Sequence, residues 1–86
     1  MPNTPSITDT LAWVLYRRGN YAAAIPLLQE CVKESPDSAD FHYHLGMSLL
    51  ATGQKAKGKD QLEVALRMSL SRDDAQQAQR ELSQLN

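Results

Sequence analysis

The sequence predicts an all-α fold made of two copies of a helical hairpin. No segment of useful length alternates apolar and polar residues with the period of two that marks a β-strand. Apolar residues instead recur at intervals of three and four, as they do along one face of an α-helix. Gly19 and Gly53 each end such a helical segment, and they lie 34 positions apart. A fixed spacing of this kind indicates an internal repeat.

Length and composition predict a single domain over residues 1–86 and argue against several functions. The net charge is −1, from 9 basic and 10 acidic side chains, so nothing favours binding to nucleic acid. Cys31 is the only cysteine, which excludes an internal disulfide and a multi-cysteine zinc site. No apolar run approaches the ~20 residues that span a bilayer, and the first ten residues do not form a secretory signal. We therefore expect a soluble protein without direct membrane insertion, in a compartment that the sequence leaves open.

The first predicted hairpin begins near the N-terminus. Thr4 followed by Pro5 is typical of a helix N-cap with proline in the first turn. The stretch RRGN ends this helix, because Gly19 can adopt a left-handed conformation and Asn20 can cap the next helix. The second helix of the hairpin is expected from about Tyr21 to about Glu34.

Pro26 lies inside that second helix and conflicts with it. Proline lacks an amide hydrogen and clashes with the preceding turn, so an interior proline kinks a helix at a cost near ~3 kcal/mol. The feature is not repeated, since the residue 34 positions later is Asp60. We expect Pro26 to bend the helix on its solvent-facing side.

The pattern returns after the break SPDS at residues 35–38. A third helix follows and ends at Gly53, and a fourth carries Leu62, Ala65 and Leu66 and can extend to Ser69. A shift of 34 positions aligns leucines with leucines and small residues with small ones: Leu11 with Leu45, Ala12 with Gly46, Leu15 with Leu49, Ala24 with Gly58, Leu28 with Leu62, and Cys31 with Ala65. The small residues allow helices to approach closely, so we expect Cys31 and Ala65 to lie between helices.

A fifth helix is predicted over about residues 72–85. Ser71 with Asp74 three residues later resembles a capping box, and acidic side chains suit a helix N-terminus. The apolar stripe of this helix is thin and consists of Ala75, Ala78, Leu82 and Leu85. Because an open stack of repeats exposes apolar surface at its ends, we interpret this mostly polar helix as a C-terminal cap.

The sequence resembles the tetratricopeptide repeat (TPR) family, whose units are helical hairpins of about 34 residues. The matching residues are the pair Leu45-Gly46, the turn Gly19-Asn20-Tyr21, the small residue Ala24 and the closing proline Pro36. The sequence departs from the residue pattern of the family at several positions. Thr8 and His42 stand where the family has tryptophan, Leu15 and Leu49 where it has tyrosine, and Leu70 where it has the second closing proline. The resemblance covers about residues 5–70. It implies a right-handed helical-hairpin solenoid with two TPR units, about 5–38 and 39–72, plus the capping helix.

The resemblance also implies a concave groove, lined by the first helix of each unit, that binds a protein or peptide. The matching positions are Asp9, Trp13, Tyr16 and Arg17 in the first unit, and Tyr43, His44, Met47 and Leu50 in the second. The tryptophan, tyrosine, methionine and arginine among them are residue types enriched at binding sites. Chaperone-binding members hold a peptide carboxylate with a set of lysine, asparagine and arginine residues. The matching positions here carry Asp9, Trp13, Asp40, Tyr43, His44 and Met47, so an apolar or amphipathic ligand is favoured. The alternative is that this surface packs against the chain's own neighbouring repeats or its terminal segment.

No constellation of residues predicts catalysis, a metal or a cofactor. His42 and His44 are two residues apart, so they face different sides of a helix. Cys31 stands where the family has alanine, which favours a buried, inert thiol over a nucleophile. The basic run at residues 55–59 is short and adjoins acidic residues, so a solvated helix start is the simpler interpretation.

Two functional hypotheses follow. The first is a non-catalytic scaffold that binds a peptide or helix in the concave groove. The second is a structural end-piece of a longer TPR array, which stabilises the solenoid or self-associates through an open end. The stretch HYHLGM and its surroundings also resemble terminal repeats of bacterial proteins, some of them envelope lipoproteins, and this resemblance implies a cytoplasmic or periplasmic location.

Overall fold

The computed structural model describes residues 5–85, apart from the side chain of Pro5, and this range contains helices and turns but no strand. The helices are α1 (Pro5–Arg17), α2 (Tyr21–Glu34), α3 (Ala39–Ala51), α4 (Lys55–Leu66) and α5 (Arg72–Gln84). The all-α prediction is confirmed, as is the predicted extent of α2. The N-cap expected at Thr4 lies outside the described residues. In the described range, each helix is too short or too polar to traverse a lipid bilayer.

The same tight turn joins the two helices of each hairpin. Gly19 and Gly53 both have a φ of 84°, a left-handed conformation that residues with a side chain rarely adopt. The residue after each glycine donates its N–H to a carbonyl near the end of the preceding helix: Asn20 to Leu15 at 2.8 Å, and Gln54 to Leu49 at 2.9 Å. The predicted role of the two glycines is therefore confirmed.

The side-chain cap expected at Asn20 is wrong. Asn20 stands at the N-cap position of α2, but its side chain makes no capping hydrogen bond. Its backbone has a ψ of 60° instead of the extended conformation from which a side chain reaches the first helical amides. The glycine turn imposes this conformation, because it ties the N–H of Asn20 to the end of α1.

Serines cap the two helices that follow the other connections. The hydroxyl of Ser38 accepts the N–H of Phe41 at 3.4 Å, and the hydroxyl of Ser71 accepts the N–H of Asp74 at 3.2 Å. Asp73 and Asp74 stand in the first turn of α5, where negative charge interacts favourably with the helix dipole. The cap predicted at Ser71 is confirmed.

Two details of α2 and α4 bear on the predictions. α2 continues through Pro26, which is exposed, so its predicted solvent-facing position is confirmed. A proline there removes one helical donor without leaving an unpaired group in the core. α4 ends at Leu66, so Ser69 belongs to the connection with α5.

The first hydrophobic cluster joins α1, α2 and α3. Its buried members are Ala12, Ala24, Leu28, Leu45 and Leu49. These residues occupy positions that the 34-position shift aligns between the hairpins. The aligned position Leu11 is an exception, because its side chain is exposed whereas that of Leu45 is buried.

The second hydrophobic cluster joins α3, α4 and α5. Its buried members are Tyr43, Met47, Leu62, Ala65 and Ala78, with Trp13, Tyr16 and Leu82 among the partly buried side chains packed against it. Cys31 and Ala65 are both buried, which confirms that these small residues lie between helices. The cluster brings α5 and part of α1 to the same side of α3.

Candidate interaction surface

The eight predicted groove residues lie on two helices that are neighbours in the fold. Asp9, Trp13 and Tyr16 follow one side of α1 at intervals of four and three residues, the spacing of a single helix face. We call the surface formed by the eight side chains the α1–α3 face: Asp9, Trp13, Tyr16 and Arg17 from α1, and Tyr43, His44, Met47 and Leu50 from α3. The structure brings the aromatic members together and leaves Arg17 exposed beside them.

Trp13 is the centre of an aromatic row that crosses from α1 to α3. Its ring stacks on Tyr16 with centroids 4.3 Å apart and an interplanar angle of 3°. Its ring also stacks on His44 at 4.1 Å and 22°, and Tyr43 lies at 6.1 Å in a tilted arrangement. Contacts of this kind add stability beyond the area that the rings bury, so Trp13 is held in a fixed position.

A polar contact between α1 and α3 lies beside the aromatic row. Nδ1 of His44 is 2.7 Å from Oδ1 of Asp9, and both side chains are largely shielded from solvent. A hydrogen bond to a carboxylate is stronger than one between neutral groups, so the pair fixes the orientation of the His44 ring on Trp13.

His42 faces another side of α3, as its spacing from His44 predicts. Its Nδ1 lies 2.6 Å from Oε1 of Gln61, and its Nε2 lies 2.7 Å from the carbonyl oxygen of Pro36. His42 is buried, and these contacts link α3 to α4 and to the connection before α3. Among residues 5–85, no group of three histidine, cysteine, aspartate or glutamate side chains is placed to hold a metal ion.

The α1–α3 face is only partly open, because α5 covers one part of it. Tyr43 and Met47 are buried, and they belong to the cluster that also contains Ala78 of α5. Trp13 and Tyr16 are partly buried at the edge of this cluster, while Arg17 is exposed. Leu50 is partly buried, and its side chain packs over Gly58 of α4. The most exposed member of the face is Arg17 on α1.

Acidic side chains of α5 lie close to the two tyrosines of the face. Burial, followed by Asp74, Tyr16 and Glu81, raises the pKa of Tyr43 to about 12. Burial, followed by Tyr21 and Glu81, raises the pKa of Tyr16. Both phenols are therefore protonated at neutral pH, which makes them hydrogen-bonding and packing groups instead of general bases.

The sequence predicts α5 as a capping helix but leaves open whether this helix packs on the α1–α3 face. The stripe of Ala78 and Leu82 is visible in the sequence, but it indicates only that α5 packs against something. The alternative that the groove packs against the terminal segment describes the position of α5 on Tyr43 and Met47. The acidic residue Glu81 next to this stripe was a further signal, because its charge contributes to the raised pKa of Tyr16 and of Tyr43.

Cys31 is not one of the residues of the α1–α3 face and is buried on α2. Burial, followed by the carboxylates of Asp9, Glu34 and Glu30, raises the pKa of Cys31 to about 11. The thiolate is the reactive form of cysteine, so this thiol is a packing group at neutral pH.

The chain forms two helical hairpins, and a glycine turn of the same conformation joins the two helices of each. The hairpins repeat at an interval of 34 positions and stack through small side chains, which defines a helical-hairpin repeat protein. A sequence model of the tetratricopeptide repeat matches residues 15–82, and the chain belongs to this family. The predicted resemblance is thereby confirmed, and repeats of this family mediate protein–protein interaction or act as scaffolds. Searches of curated proteins and of solved structures returned no match.

Proposed function

We propose that this chain is a non-catalytic protein-interaction module and that its α1–α3 face binds a peptide or helix of a partner protein. The observation that supports this proposal is the stacked row of His44, Trp13 and Tyr16, which is partly accessible and adjoins exposed Arg17. Tryptophan, tyrosine and arginine are the residues most enriched at binding hot spots.

The rigidity of the row favours a role in binding. Trp13 stacks on Tyr16 and on His44, and Asp9 fixes the His44 ring. The side chains of the row are already ordered before a partner binds. Binding therefore costs little side-chain conformational entropy.

The packing of α5 suggests the chemistry of the ligand. α5 presents apolar Ala78 and Leu82, four residues apart, to the second cluster and carries acidic Glu81 beside them. A partner helix with the same arrangement would place apolar side chains against Trp13 and Tyr16. An acidic residue at its edge would reach Arg17, so we propose an amphipathic helix with an acidic border as the ligand.

Affinity capture with matched variants tests this proposal. Trp13→Ala removes the centre of the row, and Arg17→Glu reverses an exposed charge without removing buried side chains. Lys33→Glu is the matched control, because Lys33 is also exposed but lies on α2, outside the α1–α3 face. Tyr43→Ala is unsuitable, since Tyr43 is buried and its loss would weaken the core.

A partner of the α1–α3 face is expected to be retained by the wild type and by Lys33→Glu and to be lost with Trp13→Ala and Arg17→Glu. Circular dichroism should show the same helical content for all four proteins. Equal retention of every captured protein by Arg17→Glu and by the control would contradict the proposal.

A second candidate function is the structural end-piece, which stabilises an array or self-associates. The observation that favours it is separate from the α1–α3 face: Ile7, Leu11 and Val14 of α1 are large apolar side chains exposed to solvent.

A further inference from the structure

An exposed apolar stripe runs along α1 on the side that does not form the α1–α3 face. Ile7, Leu11 and Val14 are 69%, 53% and 43% exposed. Their spacing of four and three residues places them on a single side of the helix. Large apolar side chains that adjoin one another on a surface mark an interaction site more often than scattered ones do.

The internal repeat shows that this stripe is a packing position of the fold. The residues 34 positions later are Phe41, Leu45 and Ser48 of α3, and they are 8%, 5% and 0% exposed. Leu45 is in the cluster that contains Ala24 and Leu28 of α2. These positions are therefore buried on α3, where α2 packs against Leu45, and are exposed on α1.

The other end of the molecule does not offer a helix to cover the stripe. In the second hairpin, Leu62 and Ala65 are the counterparts of Leu28 and Cys31. Both are fully buried and share a cluster with Ala78 of α5. Because α5 closes this end, copies of the chain cannot stack head to tail as their own hairpins do.

The stripe is complementary to itself. In an antiparallel arrangement of two α1 helices, Ile7 lies opposite Val14 of a second copy, and the two Leu11 side chains meet at the centre. The only charged residue between Ile7 and Val14 is Asp9, which is turned towards His44. The pairing therefore buries apolar side chains without burying an unpaired charge.

We propose that a second copy of this chain covers the stripe, through antiparallel pairing of α1 with α1 about a two-fold axis near Leu11. A two-fold contact of this kind uses the same patch on both copies and closes at the dimer. The patch has three large side chains, fewer than a standard interface, so the dimer is weak and depends on concentration. The proposal deepens the second candidate function and is independent of the α1–α3 face.

Analytical ultracentrifugation of the full chain tests the proposal over a range from about 10 μM to about 2 mM. The wild type is expected to pass from monomer to dimer with no larger species. Leu11→Glu should raise the dissociation constant at least roughly tenfold, because two carboxylates would meet at the two-fold axis. Ala56→Glu is the matched control, since Ala56 is exposed on α4, and should leave the dissociation constant unchanged.

A cross-linking measurement locates the axis. Leu11→Cys in a Cys31→Ala background is expected to form a disulfide-linked dimer under mild oxidation, whereas Ala56→Cys in the same background should remain monomeric. A wild type that stays monomeric at the highest concentration, association that Leu11→Glu leaves intact, or equal cross-linking at both positions would overturn the proposal. Arg17→Glu should leave the dimer intact, so failure here is distinguishable from failure of partner binding at the α1–α3 face.

Discussion

Gly46 of α3 and Gly58 of α4 face each other at a distance that leaves no room for a side chain. A Cβ atom added at Gly46 would lie 3.1 Å from the carbonyl oxygen of Gly58. One added at Gly58 would lie 3.0 Å from the carbonyl oxygen of Gly46. The counterparts in the first hairpin are Ala12 and Ala24, so the second hairpin has a closer helix contact than the first.

Gly46→Ala is expected to lower the free energy of unfolding by about 1–3 kcal/mol, because the new methyl group overpacks the contact. Its Cβ would also lie 2.9 Å from the side chain of Leu62, which is fully buried and cannot swing into solvent. The clash should exceed the gain of about 1 kcal/mol that alanine offers over glycine in a helix. Urea denaturation measures the change, with Lys59→Ala on the exposed side of α4 as the control. A variant more stable than the wild type would contradict the close contact.

Ser48→Ala is expected to stabilise the protein. The hydroxyl of Ser48 is fully buried and has no hydrogen-bond partner within the described part of the chain. Burial of an unpaired hydroxyl costs about 1–3 kcal/mol, and alanine removes the polar group while nearly keeping the volume. Thermal denaturation should show a midpoint higher by several degrees. The control is Ser83→Ala, because Ser83 is exposed; a comparable rise there would assign the effect to helix propensity alone.

The contact between Asp9 and His44 is expected to couple α1 to α3 energetically. A double-mutant cycle with Asp9→Asn, His44→Gln and the double variant should give a coupling energy of about 0.5–2 kcal/mol at neutral pH. Because His44 stacks on Trp13, Asp9→Asn should also change the fluorescence of Trp13. Strictly additive effects on stability would show that the two side chains do not interact in solution.

Alkaline pH is expected to destabilise the fold. Burial raises the pKa of Cys31 from 9.0 to about 11 and the pKa of Tyr43 from 10.0 to about 12. The unfolded chain therefore loses protons that the folded chain keeps, so the free energy of unfolding is unaffected below pH 9 and falls as the pH rises towards 12. Each group should contribute about 2–3 kcal/mol to the fall. In Cys31→Ala, measured by urea denaturation across this range, the decline should begin near pH 10; an unchanged onset would contradict the assignment to Cys31.

Leu82→Glu is expected to release α5 from the second cluster and to expose Trp13. Leu82 packs against that cluster together with Trp13, so a carboxylate at position 82 should detach the helix. The acrylamide quenching constant of Trp13 should increase about twofold, in line with loss of an apolar cover. Gln79→Glu, at an exposed position of α5, should leave the quenching unchanged, and an unchanged value for Leu82→Glu would show that α5 does not shield Trp13.

The sequence predicts the hairpin architecture well, because its signals are local and occur twice. Gly19 and Gly53 mark turns that require a left-handed backbone, and the 34-position shift identifies aligned core positions such as Leu28 and Leu62. The cap at Asn20 could not be predicted correctly, since the glycine turn before it fixes a backbone conformation unsuited to capping.

The candidate surfaces are less predictable than the fold. A helical period shows that Ala78 and Leu82 share a face, but the packing partner of that face depends on how α5 is directed by the preceding connection. The same holds for Leu11, whose helical spacing predicts a core position although its side chain is exposed. The helical period identifies an apolar face that must be buried, but only the three-dimensional structure shows which element buries it.

The short connection between α4 and α5 has a consequence for any ligand of the α1–α3 face. Residues 67–71 alone separate the two helices, so α5 is tethered at an effective concentration that is on the order of millimolar for short linkers. A partner that occupies the area over Tyr43 and Met47 competes with this resident helix, and its apparent affinity falls in proportion to the fraction of molecules in which α5 is released. Because α5 is tethered in this way, a weakly binding partner does not displace it from Tyr43 and Met47, whereas a tight or multivalent ligand does.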